Sequence, residues 1–475
     1  MERLMLRKRY SRIFASRRSD RLKDVLRRRV RRLAIFESLE RREMLTTVHW
    51  IGGSGDWNVG ANWSNGVGPA STDDAVIDVP GSDVTITHSS GAHSVASITM
   101  AETVRLTGGT LIVSSQIAGL GVLALAGGTL QDATLSLIAP IQATSGTLSN
   151  ITMNSNLDVT GGAVYTAPAN ITVVNGLTLN GTATLSYDDA IFFNGTQTLG
   201  GTGTVAFTNN AQYSGLLVNQ NNTTLTIGAG ITLRGGSTNS SLFSGAVIGR
   251  SDYKGGATTG GAVNLLGKIS ADVAGQSLYV RTSGDFTNQG TMEAKNNGTL
   301  NVSTLSGNLG AGVAMSNGGS MILGGTYTID QAIMVATGSS LSLGGFPTLG
   351  APGIVSSTGT VNLSGLLDNT GKTLLLNSAT GSWSVLGGTL KGGTVSATDG
   401  AKLISTSAGG TLDALTLNGD LDVTGGAVYT APANITVVNG LTLNGTATLS
   451  YDDAIFFNGT QTLQGTGTVA FTNNA

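Results

Sequence analysis

Leu177-Thr178-Leu179-Asn180-Gly181-Thr182-Ala183-Thr184-Leu185-Ser186 is the stretch that decides the fold. Leu177, Leu179, Ala183 and Leu185 share one parity, while Thr178, Asn180, Thr182, Thr184 and Ser186 share the other. Side chains alternate across a strand, so this pattern gives one apolar and one polar face at a two-residue period. Gly181 falls on the apolar parity directly after Asn180, and reads as a corner where a side chain would not fit. Asn175-Gly176 and Asn194-Gly195 add turn signals on either side.

Glycines punctuate short apolar segments at Gly128, Gly146, Gly162, Gly181 and Gly201, at intervals of 18, 16, 19 and 20 residues. Such intervals suit one coil of a β-solenoid. At about 20 residues per coil, roughly 430 residues would make about 20 coils and a rod on the order of 100 Å long. On a larger scale, residues 157–211 recur as residues 421–475 with 54 of 55 positions identical. The match continues upstream more weakly, from Gly127-Gly128-Thr129-Leu130 to Gly387-Gly388-Thr389-Leu390. The one difference inside the duplicated block is Gly200 against Gln464. Leu199, Val205 and Phe207 point inward, which puts position 200 with Thr198 and Thr202 on the solvent face, where a long polar side chain is tolerated.

Composition agrees with a thin core of many short strands. Of 475 residues, 70 are Gly, 40% are apolar, 11% are charged and 5% are aromatic, so the chain buries more apolar surface than a disordered one could. There is no Cys, which excludes disulfides and thiolate metal sites. The net charge of -2 hides a strong asymmetry. Residues 1–45 carry 16 Lys or Arg against 6 Asp or Glu, leaving 10 against 22 for the rest. Leu22, Val25, Leu26, Val30 and Leu33 recur at helical spacing among Arg27, Arg28, Arg29, Arg31 and Arg32, which predicts a basic helix. No base-reading module accompanies it, so nucleic acid is not an expected partner, and any membrane contact of this segment is expected to be transient.

The fold class expected is all-β, a right-handed parallel β-helix or β-solenoid behind an N-terminal helical basic leader. An array of antiparallel β-sandwich repeats is the alternative, because parity alone does not distinguish parallel from antiparallel pairing. The expected organisation is a leader over 1–45, a Trp-rich N-terminal cap over 46–80, and solenoid repeats over 81–475. Trp50, Trp57 and Trp63 lie within 14 positions of one another, and their large rings would close the end of a core otherwise built of Leu, Val, Ile and Ala. A sugar-stacking platform is the rival reading of the three rings.

Three segments carry a family resemblance. Phe36-Glu37-Ser38-Leu39-Glu40-Arg41-Arg42-Glu43-Met44-Leu45 resembles the LEPR-XLL leader of large exported planctomycete proteins. Leu39, Glu40, Arg42 and Leu45 match that pattern, whereas Arg41 stands in place of Pro and Met44 in place of the first closing Leu. The segment from Trp50 to Ile77, with Trp50-Ile51-Gly52-Gly53, Asn62-Trp63, Pro69 and the strand ending Asp74-Ala75-Val76-Ile77, is similar to the opening of autotransporter-associated β-strand repeats. Phe286-Thr287-Asn288-Gln289-Gly290-Thr291-Met292-Glu293-Ala294 resembles coils of filamentous-haemagglutinin-type β-helices. These resemblances imply an exported adhesin or structural protein, secreted or held at the cell surface.

A search for chemistry gives no expected catalytic, cofactor-binding or metal-ligating residue. His88 and His93 flank the Ser89-Ser90-Gly91-Ala92 turn with no acidic residue nearer in sequence than Asp83, and read as solvated turn residues. Asp73-Asp74, Asp188-Asp189 and Asp452-Asp453 are adjacent pairs whose members would point to opposite faces of a strand, and so read as turn residues after Tyr187 and Tyr451. Gly255-Gly256 and Gly260-Gly261 open no helix and carry no following Lys-Thr, so they are not phosphate loops. The expected function is therefore a non-catalytic extracellular or cell-surface structural or adhesive role with no cofactor. A β-helical carbohydrate-binding or polysaccharide-degrading protein is the alternative. The expected partners are a surface or glycan ligand and, through the last apolar segment with Val469 and Phe471, a second copy joined end to end.

Overall fold

The computed structural model describes residues 46–159, 166–208, 211–239, 241, 243–350 and 355–472. The basic leader and its helix, Gly162, and residues 473–475 lie outside the described residues. From Thr47 onward the chain forms one compact unit, a parallel β-solenoid of about 17 turns with almost no helix. Every pairing between named strands is parallel; for example Ala183, Thr184 and Leu185 lie beside Val205, Ala206 and Phe207 of the next coil. The antiparallel contacts among the described residues are isolated bridges such as Trp50 to Trp63. Parallel pairing excludes the antiparallel sandwich array.

The alternation read from the sequence sets the core. Leu177, Leu179, Ala183, Leu185, Leu199, Val205 and Phe207 are all buried, within a core that runs from Val48 to Leu449. Thr178, Asn180, Thr198 and Thr202 are exposed. Ser186 departs from its parity and is buried, because the chain turns immediately after it at Tyr187, whose φ is 51°, and the Asp189 N–H returns to the Ser186 carbonyl at 3.3 Å. Gln464 projects outward as expected, and its amide donates to the Thr442 hydroxyl at 3.0 Å.

The corners explain the glycines. A Cβ on Gly181 would run into the carbonyl of Ser155 in the coil before, and one on Gly203 into the carbonyl of Gly181. The corner is a place where one coil's backbone rests on the next, and only hydrogen leaves room. Asparagines flank these corners and tie successive coils together: the Asn180 amide donates to the Asn154 side chain at 2.8 Å, and the Thr202 N–H donates to Asn180 Oδ1 at 3.2 Å. In the haemagglutinin-like segment Asn288 is buried, donates to the Leu309 carbonyl at 2.7 Å and accepts from the Gly290 N–H at 3.1 Å.

Coil length varies more than a 20-residue period allows. Gln116 pairs with Thr134, 18 residues on, whereas Leu225 pairs with Val263, 38 residues on. The longer coils lower the count from the expected 20 or so to about 17, and the stack is on the order of 80 Å long at ~4.8 Å per coil.

Leu179→Asp should cost more than about 3 kcal/mol of unfolding free energy by placing a charge in the narrow core, whereas Thr178→Asp should stay within about 0.5 kcal/mol of the native protein. Urea denaturation of the two variants compares them directly, and equal midpoints would contradict the strand assignment.

Candidate functional site

The three tryptophans near the start are packed into the core rather than offered to a ligand. Trp50, Trp57 and Trp63 are 2%, 2% and 1% exposed. Trp63 meets Trp50 at a centroid distance of 5.0 Å and Trp57 at 4.7 Å, both edge to face, and its indole N–H donates to the Trp57 carbonyl at 2.9 Å. This arrangement removes the sugar-platform reading of these rings.

Below them lies a histidine pair that is not the solvated turn expected from sequence. His88 is fully buried. Its Nδ1 lies 2.9 Å from the Gly108 carbonyl and its Nε2 lies 3.0 Å from His93 Nδ1. A carbonyl only accepts, so His88 carries its proton on Nδ1, and His93 Nδ1 donates to His88 Nε2. The next proton taken up must go to His93 Nε2. Burial, followed by the neighbouring His88, holds the His93 pKa below its ordinary 6.5. The acidic neighbour sought around Asp83 is instead Asp56, delivered by the preceding coil. Burial raises the Asp56 carboxyl, but the Ser89 hydroxyl, the Asn58 N–H and the two imidazoles outweigh it and hold the group below its ordinary value. Among the described residues no group of three or more His, Cys, Asp or Glu is placed to hold a metal ion.

The most unusual environment lies on the longest coil. Gly215–Val218 and Ala246–Gly249 are buried at all four positions, on both faces of the sheet, and the described residues of two excursions, 236–239, 241, 243–245 and 250–261, lie against this sheet, with the Ala257 N–H donating to the Val218 carbonyl at 2.7 Å. Leu217, Val247 and Tyr279 form a small apolar patch there, outside the continuous core. Gly245 is required at this point, since a Cβ would lie 2.7 Å from the Tyr279 ring. The excursions are thereby docked, and on them and the preceding loop three rings meet. Tyr213 lies 4.6 Å from Tyr253 and 6.0 Å from Phe243, and Phe243 lies 5.7 Å from Tyr253, each pair tilted or edge to face. Phe243 is 53% exposed and Tyr253 43%.

Beside the rings is a carboxylate pair with a lysine. Asp188 and Asp189 occupy the turn after Tyr187, as expected, but both are buried. Asp189 accepts from the Ala169 N–H at 2.8 Å. Burial above all, together with the Asp188 charge, raises its pKa from 3.8 to about 6 against the pull of the Ala169 and Ser186 N–H groups and Lys254. The Lys254 amine reaches Asn170 Oδ1 at 3.4 Å, and its own burial lowers its pKa although both carboxylates oppose this. Glu293 illustrates the opposite balance. There burial is outweighed by Lys295, Ser270 and Lys268, and the carboxyl falls to about 2.

In the second copy Asp453 repeats the bond to the backbone, accepting from the Ala433 N–H at 2.7 Å, and Asp452 and Asp453 are half-buried. Sequence reading missed this site because Asn170, Tyr213, Phe243 and Lys254 are brought together only by coil stacking. The signal available was the loss of the glycine rhythm between Gly236 and Gly261.

Two pH responses follow. Asp189 has a folded pKa above its unfolded one, so its contribution to stability is full below about pH 4 and is lost as pH rises through about 6. Asp189→Asn keeps the acceptor for Ala169 and should flatten that part of the melting-temperature profile, which thermal melts from pH 4 to 8 read out. His93 has a depressed folded pKa, so its contribution is full above about pH 6.5 and is lost as pH falls. In a Trp383→Phe background, tryptophan fluorescence should change between pH 7 and 5, and His93→Gln should abolish the change. A scan of protein-family models finds no match to the chain, and no curated protein matches it.

Proposed function

We propose that this chain is an exported, non-catalytic repeat protein with a structural or adhesive role at a bacterial cell surface. The observation that carries the reading is the long parallel stack itself, a core that runs from Val48 to Leu449 and in which many outward positions, such as Thr178, Asn180, Thr198 and Thr202, are short polar side chains. A protein built this way presents length and repeated surface, and its stability is spread over nearest-neighbour coils. The buried carboxylate pair argues against turnover, because Asp188 and Asp189 are 2% and 3% exposed and out of reach of a polymer substrate. The LEPR-XLL-like stretch from Phe36 to Leu45 supports export of planctomycete type, and the Trp50 to Ile77 segment supports kinship with autotransporter-associated strand repeats. A carbohydrate-binding role is the second reading, favoured by the exposed rings of Phe243 and Tyr253.

Expression in a planctomycete host with cell fractionation and N-terminal sequencing tests this. The expected result is protein in the envelope or medium with residues 1 to about 45 removed. An intact chain confined to the cytosol overturns the proposal.

A further inference from the structure

We propose that Tyr213, Phe243 and Tyr253 form a binding face for an uncharged oligosaccharide. The inference deepens the adhesive reading and rests on it for its biological sense, although the binding itself is separable. Many large rings of the solenoid, such as Phe193, Phe207, Phe286 and Tyr327, are 0 to 2% exposed, while exposed ones such as Tyr187 and Phe346 belong to no ring cluster among the described residues. Here two rings of a three-ring cluster stand in solvent on loops that are nevertheless held to the sheet, one by Gly245 against the Tyr279 ring and the other by the Ala257 N–H on the Val218 carbonyl at 2.7 Å. A docked loop loses little conformational freedom on binding, which is the usual way a surface site gains affinity. Clustered exposed rings offer an apolar body with polar tips, suited to the apolar face and equatorial hydroxyls of a pyranose.

The surroundings fix the charge of the ligand. Asn239, Ser241 and Ser244 line the same excursion, with the two serine hydroxyls 2.7 Å apart and Asn239 donating to the Ser244 carbonyl at 3.4 Å. The charges nearby balance in number, three against three: Arg250 and Arg281 share Asp252, and Lys254 lies in the field of Asp188 and Asp189. With no surplus of either sign, the face has nothing to attract a uronate or sulfate and has neutral hydrogen-bonding groups beside its rings.

The test is calorimetric titration of the full chain with cello-, xylo-, manno- and chito-hexaose, and with oligogalacturonate as a charged control. At least one neutral hexasaccharide should saturate with a Kd below about 1 mM, and a Phe243→Ser, Tyr253→Ser double variant should weaken it by roughly tenfold or more at an unchanged melting temperature. Tyr429→Ser, which removes an exposed ring 80% accessible in the other copy, should change nothing. Binding of none of the neutral sugars, equal binding by the double variant, or binding of oligogalacturonate alone overturns the proposal. Cell attachment that survives in the double variant after its sugar binding is lost supports the face as a sugar site but removes it from the adhesive role; retention of the chain in the cytosol defeats the adhesive reading and leaves the sugar titration standing.

Discussion

Each coil must hydrogen-bond in parallel to the coil before it, and nearly everything else in this protein follows from that contact. Parallel strands at a fixed spacing leave the side chains two directions, into a core one coil wide or out to solvent, and the apolar and polar parities are filled accordingly. The corners have less freedom still. Where the chain bends, its backbone rests on the carbonyls of the previous coil, as Gly181 does on Ser155 and Gly203 does on Gly181. Amide side chains such as Asn154 and Asn180 bridge the same corners from outside.

The parts of the structure that obey this local rule were legible in the sequence. The inward set of Leu177, Leu179, Ala183 and Leu185, the corner at Gly181 and the outward position shared by Gly200 and Gln464 all followed from a period of two and the sterics of glycine. What required three dimensions was anything decided by a neighbouring coil. Parity does not record strand direction, so parallel pairing could not be separated from an antiparallel array. His88 looked like a turn residue because its ring is engaged by the Gly108 carbonyl one coil further along and by the His93 ring across the turn. The rings of Tyr213, Phe243 and Tyr253 carry no spacing that marks them as a cluster.

The duplicated block makes the same point with the sequence held constant. Ala190–Phe193 and Ala454–Phe457 are identical, and the first is largely buried because Gly215–Val218 of the next coil pairs directly on it. Asp189 and Asp453 keep the same backbone partner in the two copies. A residue's burial here belongs as much to the adjoining coil as to its own.

The stacking of coils also decides how the protein would respond to load. The hydrogen bonds between coils run along the direction in which coils are added, so tension between the two ends of the stack pulls on one rung of bonds after another rather than shearing many together. A coil that peels away gives up a spacing of about 4.8 Å and releases some 20 extended residues, on the order of 70 Å of chain. Because each coil holds only its neighbours, the loss stops at the next intact rung. A solenoid anchored at one end and attached to a partner at the other would pay out slack in steps, dissipating work while the attachment holds.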